Sequence, residues 1–376
     1  MITLWIGFVA LVLGVLALDL GVINRRAHAV STRQALRWTG VFLTLGLIFA
    51  GVVYFLYQND VGGVGTSFVE RLEAQERADR HDAKAPGEPE RPGGVRVSAA
   101  QEARANPGKT ALTQYIAGWL TEYSLSVDNI FVIALIFAHF RVPGQYQHRV
   151  LFWGIMGALI LRGIMIGAGT ALVSRFDWVL VVFGLFLVVT AVKMFLVKQK
   201  DDDFDEEHSW VVRLARRLFP ISPRFEGQRF FTRIDGRRLA TPLFLVLLVV
   251  EGTDVIFAVD SIPAILGITT DPFLVFSSNV FAIMGLRSLY FALAGLREKF
   301  EHLKFSLGFI LLFVGAKMLY EYFADAHVAS TISLSVIVAS LVVGAGTSLL
   351  ANSRRARAKH PTAEPPITPL GESDAT

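Results

Sequence analysis

Nine apolar segments divide this chain of 376 residues, and each is long enough to cross a lipid bilayer as an α-helix. The apolar runs are continuous instead of alternating, which favours helices over a membrane β-barrel. Charged residues make up only 18% of the chain, against roughly a quarter in soluble domains. The sequence therefore predicts an all-α integral membrane protein with about nine transmembrane helices. The predicted spans are 3–23, 38–57, 111–138, 149–174, 178–197, 241–266, 273–295, 304–323 and 328–350.

The positions of Lys and Arg predict the orientation of these spans. Basic residues crowd the connections after spans one, three, five and seven and the C-terminal tail, whereas the alternate short connections carry almost none. Because cytoplasmic connections collect Lys and Arg, the N-terminus is expected outside and the C-terminus in the cytosol. The first span has neither a basic leader nor a small-residue cleavage site, so it is expected to be retained.

The segments between the spans complete the predicted domain organisation. Residues 86–94 are rich in Pro and Gly, which is typical of a flexible loop. The predicted divisions are an N-terminal helix pair (1–57), an extracytoplasmic flexible loop (58–110), a first three-helix unit (111–197), a cytosolic loop (198–240), a second three-helix unit (241–323), a last transmembrane helix (324–351) and a disordered cytosolic tail (352–376).

The two three-helix units repeat the same polar residues. Segments 121–130 and 253–262 both read Thr, acid, four residues, Val, Asp, a small polar residue and Ile. Two basic positions follow in the same order, with an arginine in the second span of each unit and a lysine in the third. These residues are Arg162 and Lys193 in the first unit and Arg287 and Lys317 in the second. Because each unit has an odd number of spans, the second enters from the opposite face, which predicts an inverted repeat.

Acidic residues inside these spans are the candidate functional residues. A carboxylate at that depth costs about 2.5–3.5 kcal/mol by insertion scales, so its presence needs a functional or structural reason. Transporters with inverted repeats bind their substrate near the midplane, where the units meet. Carboxylate, amide and hydroxyl oxygens suit Mn²⁺, Mg²⁺ or Ca²⁺, and the absence of His from spans three and six weakens a Zn²⁺ site. The predicted metal ligands are Glu122, Asp128, Asn129, Glu251, Asp254 and Asp260.

The basic residues of the repeat are expected to compensate these charges. The five acids carry −5 and the two arginines and two lysines carry +4, so a site that holds them all retains −1 and favours a divalent cation. The basic side chains could also substitute for the ion when the site is empty. Alternatively, the same ion pairs simply lock the helices together. Pro263 is expected to break its helix and to let Asp260 turn toward Asp254.

Several classes of function lack sequence support. The chain contains no His-Glu-x-x-His, no Gly-x-Ser-x-Gly and no phosphate-binding glycine loop, so no enzymatic activity is predicted. No cysteine is present, which removes disulfides, thiolate metal sites and thiol redox chemistry. A net charge of +4 is not a nucleic-acid signal, and no permanently bound cofactor is predicted.

Long stretches of this sequence resemble the TerC/Alx family of integral membrane proteins. The resemblance rests on segments 18–22, 122–131, 213–220, 230–242, 253–264, 271–276 and 279–290. It implies a tellurium-resistance-associated family tied to Mn²⁺ export from the bacterial cell, whose acidic pore residues match Glu122, Asp128, Glu251, Asp254 and Asp260. Residues 60–110 depart from the family pattern and look like an insertion, so no family role attaches to them.

Three functions therefore stay open at the level of sequence. The first is a multi-pass transporter of the bacterial cell membrane that exports a hard divalent cation, Mn²⁺ above all, with the ion and the lipid bilayer as its partners. The second is a non-transporting scaffold in a tellurite or envelope-stress response complex, which would contact other membrane proteins through loop 198–240. The third is export of another solute by the same architecture.

Overall fold

The computed structural model of this protein describes residues 2–18, 32–82, 99–173, 175–176, 178–196, 212–214, 217, 219–234, 237–293, 303–324 and 328–359. Most of these residues are helical, which confirms the predicted all-α fold. The helices are α1 (Ile2–Leu18), α2 (Thr32–Gln58), α3 (Val64–Asp82), α4 (Ala99–Ala105), α5 (Pro107–His139), α6 (Gly144–Val173), α7 (Trp178–Leu196), α8 (Pro242–Leu266), α9 (Pro272–Met284), α10 (Leu286–Leu293), α11 (Leu303–Ala324) and α12 (Ser330–Lys359). Strands β1 (Phe231–Ile234) and β2 (Arg237–Ala240) form an antiparallel hairpin before α8.

Six of the helical segments are long and apolar enough to cross a bilayer. They are α2, α6, α7, α8, the α9–α10 pair and α11, and shorter apolar helices occupy Ile2–Ala17 and Ser330–Gly344. Helix α5 is longer still, at 33 residues, and carries Glu122 and Asp128. The chain is thus a multi-pass membrane protein, while the count of nine spans and their orientation stay predictions.

The two three-helix units are α5–α7 and α8–α11, where the α9–α10 pair counts as one membrane helix. They pack on each other reciprocally. The first helix of each unit contacts the second helix of the other, so α5 packs on α9 and α8 packs on α6. The two first helices contact each other, as do the third helices α7 and α11. A twofold relation between the units requires this exchange of partners, and the packing agrees with the repeat found in the sequence.

Helices α7 and α11 approach each other through small residues. A Cβ atom added to Gly184 would lie 3.1 Å from the Gly315 carbonyl oxygen, and one added to Gly315 would lie 2.7 Å from the Gly184 carbonyl oxygen. The flanking contacts are also reciprocal: Gly184 of α7 contacts Leu319 of α11, and Gly308 of α11 contacts Phe195 of α7. Such backbone-to-backbone packing is the usual way in which helices associate in lipid.

The helix through Pro263 differs from the sequence prediction. Helix α8 continues past this proline and ends at Leu266, so it has no break at 260–263. A proline removes one hydrogen bond of the helix, and here the loss falls in the last turn of a well-packed helix. Asp260 and Asp254 therefore stay on different faces, as six residues of a regular helix require.

Both predicted flexible regions contain helices. The prediction of a disordered tail from residue 352 is wrong up to Lys359, since α12 runs to that residue through a stretch of Arg and Ala, which are strong helix formers. The prediction of a flexible loop over 58–110 is wrong for 61–82 and 99–105. Residues 83–98 and 360–376 lie outside the described residues.

Helix α3 packs on the membrane helices through buried apolar side chains. Val64 and Phe68 of α3 are 2% and 1% exposed and belong to the same apolar cluster as α2 and α5. The backbone turn before α3 is closed by Asp60, whose carboxylate accepts hydrogen bonds from the hydroxyl and the backbone N–H of Thr66. These two hydrogen bonds lower the pKa of Asp60. The described helices of this region therefore pack on the membrane helices, and relatives that align over 90–94% of this chain extend through most of it, so the expectation of an insertion is wrong.

Asp271 joins α3 to the second unit. Its carboxylate caps α9 by accepting from the backbone N–H groups of Phe273 and Leu274. The same side chain accepts from the Tyr57 hydroxyl at 2.8 Å and from Arg71 Nη1 at 3.1 Å. One buried carboxylate thus ties α2, α3 and α9 together.

We expect Asp271→Ala to lower the free energy of unfolding by about 2–4 kcal/mol, because it removes a helix cap and leaves the buried Tyr57 hydroxyl unpaired. Thermal or denaturant unfolding in detergent measures the loss. Arg71→Gln, which removes only the partly exposed partner, is expected to cost less than about 1 kcal/mol. Equal stability of the Asp271 variant and the native protein would contradict this account of how α2, α3 and α9 are held together.

Candidate functional site

Arg162 of α6 is bound by acids from both units. Its Nη1 atom donates to the Glu122 carboxylate of α5, in its own unit. On the other side, Nη2 and Nε form a two-point contact with the Asp254 carboxylate of α8, at 2.9 Å and 3.2 Å. Two neutral oxygens complete the site, with Nη1 lying 3.2 Å from Asn279 Oδ1 and 3.4 Å from Ser261 Oγ. We call these five residues the Arg162 site.

The Arg162 site lies in the interior of the protein. Arg162 and Glu122 are each 1% exposed, and the Asp254 side chain is 14% exposed. One guanidinium group here faces two carboxylates, and the second Glu122 oxygen has no hydrogen-bond partner. Buried charges require partners in such surroundings. The site therefore combines negative charge with oxygen atoms that a further cation can contact.

A cavity lies at the twofold counterpart of the Arg162 site. Exchanging the two units replaces Arg162, Asp254, Ser261 and Asn279 by Arg287, Glu122, Asn129 and Gly154. Three of these counterparts, Arg287, Asn129 and Gly154, line the cavity together with Asp254. Its volume is about 30 Å³, which is room for a water molecule or a small ion. Gly154 in place of an asparagine contributes to this open space. Glu122, the counterpart of Asp254, contacts Arg162 instead of lining the cavity.

The two lysines of the repeat occupy different surroundings. Lys317 is buried and donates to the Gly267 carbonyl oxygen at 3.0 Å, with Glu321 Oε2 3.4 Å away. Lys193 is exposed, and it lies on α7 one turn from Thr190, whose hydroxyl contacts the Asp260 carboxylate at 3.5 Å. Asp260 thus faces α7 and lies apart from the Arg162 site.

The predicted metal ligands are only partly brought together. Glu122 and Asp254 meet at Arg162, while Asn129 and Asp254 line the cavity. Glu251 packs against Gly157, and one oxygen of its carboxylate is buried without a hydrogen-bond partner. The side chain of Asp128 lies outside the described residues. Among the described residues, no three His, Asp or Glu side chains form a cluster ready to hold a metal.

Asn279 is a site residue that the sequence reasoning missed. It lies on α9, is 1% exposed, and donates from Nδ2 to the Val275 carbonyl oxygen while its Oδ1 faces Arg162. An amide within an apolar span was the available signal. It carries no charge and its counterpart in the first unit is a glycine, so the search for repeated acids did not reveal it.

Apolar helices arranged as two reciprocal units around a buried guanidinium–carboxylate site define a polytopic membrane protein. A sequence model described as the integral membrane protein TerC family matches residues 107–357. The chain therefore belongs to the TerC family, as the resemblance of its motifs indicated.

Similar proteins come from several bacteria. An uncharacterized membrane protein of Myxococcus xanthus, STKORF319, is 44% identical over 354 residues, which is 94% of this chain and 93% of that protein. A protein of Escherichia coli K12 that bears the provisional name membrane-bound redox modulator Alx is 40% identical, over 90% of this chain and 92% of its own length. An uncharacterized membrane protein of Rickettsia bellii is 33% identical over 92% of this chain and 97% of its own. No solved structure matches the chain.

Proposed function

We propose that this protein transports a hard divalent cation, Mn²⁺ above all, out of the cell through the interface between its two units. The observation that carries the proposal is the Arg162 site, where a single buried cationic group holds Glu122 from one unit and Asp254 from the other. Two acids that converge from opposite units need a cation between them. In transport, the metal ion takes the place of that guanidinium group.

The surrounding atoms support this exchange of cations. The unpartnered oxygen of Glu122 and the neutral oxygens of Ser261 and Asn279 are hard donors of the kind that Mn²⁺, Mg²⁺ and Ca²⁺ accept. A divalent ion interacts with two carboxylates more strongly than one guanidinium group does at the same distance. When the metal ion binds, Arg162 must therefore break its ion pair with at least one of the two acids.

The twofold relation suggests how the acids are released to each side in turn. Arg287 and the cavity beside it are the counterpart of the Arg162 site, with Asp254 between the two arginines. In the opposite-facing state, the roles of the two arginines are expected to exchange. Inverted repeats commonly produce alternating access in this way, with one arrangement related to the other by exchange of the units.

The choice of Mn²⁺ and of export follows from the family resemblance, because oxygen ligands alone separate the hard cations poorly. The provisional name of the Alx relatives points to redox modulation. This chain has no cysteine, so its own side chains offer no thiol–disulfide exchange. An influence on cellular redox state would therefore act through the ion that it moves.

The test is ion flux in proteoliposomes that contain the purified full-length chain, with Mn²⁺, Ca²⁺, Mg²⁺ and Zn²⁺ offered separately. We expect saturable Mn²⁺ flux that exceeds Mg²⁺ flux at equal concentration. Cells that express the chain should also accumulate less Mn²⁺ than control cells.

A scaffold gives a different result in both assays. The same buried ion pairs would then only lock the helices together, and folded protein would carry none of the four ions. Deletion of 201–208 would in that case abolish the cellular phenotype, while replacement of the buried acids would not. Mn²⁺ flux that is absent from correctly folded protein would therefore overturn the transport proposal.

A further inference from the structure

The β1–β2 hairpin is fixed at the end of a membrane helix. Strand β2 ends at Ala240, two residues before α8 begins. Phe244, in the first turn of α8, packs against Phe231 of β1 with ring centroids 4.6 Å apart and against Phe219 at 5.3 Å. Because these aromatic contacts join the hairpin to the start of α8, its surface stays at the level where that helix leaves the bilayer.

The hairpin places arginines directly opposite each other. Its register pairs Arg233 with Arg238, and both side chains point to the same face and are exposed. Like charges in directly opposed positions of a β-hairpin are destabilising unless an anion lies between them. Arg237 is exposed on the other face. Four further exposed arginines lie in the described part of this segment, namely Arg213, Arg217, Arg224 and Arg229.

Protein acids do not balance this charge within the described residues. None of these seven arginines forms an ion pair there, and Glu226 is the one acid of 212–241 that the structure describes. Asp235 lies outside the described residues. Large apolar side chains accompany the arginines on both faces: Phe231, 53% exposed, lies on the face of Arg233, and Ile234, 37% exposed, lies on the face of Arg237. The surface is therefore both basic and apolar.

We propose that this basic hairpin, defined as residues 229–234 and 237–240, binds the phosphate headgroups of anionic phospholipids. Guanidinium groups bind phosphate oxygens in a two-point geometry, and two opposed arginines suit one headgroup. Exposed Phe231 and Ile234 fit the boundary between headgroups and acyl chains. An acidic protein segment could neutralise the arginines. It would not account for the exposure of the apolar side chains Phe231 and Ile234 next to the membrane. The inference is independent of which ion the protein transports.

The experiment compares full-length protein with the double variant Arg233→Gln/Arg238→Gln in detergent. Native mass spectrometry measures the retention of phosphatidylglycerol, and thermal unfolding measures stabilisation by added phosphatidylglycerol against phosphatidylcholine. Each basic residue near an anionic surface contributes about fivefold to binding, so the double variant is expected to bind phosphatidylglycerol roughly thirtyfold more weakly. Phosphatidylcholine is expected to bind the native protein and the double variant equally.

Two matched variants separate the possible outcomes. Arg175→Gln removes an exposed arginine from the α6–α7 connection, which is predicted to lie on the opposite side of the membrane, and it should leave phosphatidylglycerol retention unchanged. Arg233→Lys/Arg238→Lys keeps the charge and should retain only part of the binding. Unchanged phosphatidylglycerol binding by the glutamine double variant would overturn the proposal. So would equal stabilisation by inorganic phosphate, or preferential binding of a polyglutamate peptide over the lipid.

Discussion

Replacing Asp254 by asparagine is expected to lower Mn²⁺ flux by about a hundredfold or more. The carboxylate is the residue of the second unit that faces Arg162 at 2.9 Å, and it also lines the cavity beside Arg287. Asparagine keeps the size of the side chain and removes its charge. A charged contact to a bound ion is worth about 3 kcal/mol, which corresponds to roughly a hundredfold in binding.

Flux in proteoliposomes with equal amounts of folded protein checks this prediction. Glu70→Gln is the matched control, because Glu70 is an exposed acid on α3 and its replacement should leave the flux unchanged. Asp260→Asn is informative as a comparison, since Asp260 contacts Thr190 and lies apart from the Arg162 site. Mn²⁺ flux of Asp254→Asn within about threefold of the native protein would remove Asp254 from the transport pathway.

Replacing Arg162 by glutamine is expected to make the stability of the protein depend on divalent metal. The substitution leaves Glu122 and Asp254 buried without their shared cation, and breaking a buried pair in this way costs about 3–5 kcal/mol. If the acids form a metal site, Mn²⁺ replaces the lost charge. Thermal unfolding in detergent should then show a low melting temperature for the variant in chelator and recovery on addition of Mn²⁺.

Two comparisons make the result of Arg162→Gln specific. The native protein should gain much less from Mn²⁺, because its own guanidinium group already lies between the acids. Ethylguanidinium should stabilise Arg162→Ala and weaken its Mn²⁺ binding, since it restores the missing group. A variant that is destabilised but indifferent to both Mn²⁺ and ethylguanidinium would show that Arg162 only locks the helices together.

The sequence also indicated which residues belong together, and the structure changed their grouping. The repeated motif identified Glu122 and Asp254 as equivalent acids and Arg162 and Arg287 as equivalent bases. If the two units were fully equivalent, each arginine would form an ion pair with one of these two acids. In the structure, both Glu122 and Asp254 form ion pairs with Arg162. Asn279 next to Arg162, against Gly154 next to Arg287, makes the two sides unequal. Both of these residues are uncharged, and a search for charge does not weigh them.

The sequence by itself determined the fold class, the approximate bounds of the membrane helices and the pairing of the two units. The physical reason is that lipid allows only apolar helices with internally satisfied backbones, so hydropathy is a strong constraint along the chain. Only the tertiary structure decided that Asp260 faces α7, that Pro263 is tolerated in the last turn of α8, and that Asp271 joins α2, α3 and α9. These outcomes depend on contacts between residues that are far apart in sequence, where packing and charge between helices override local preference.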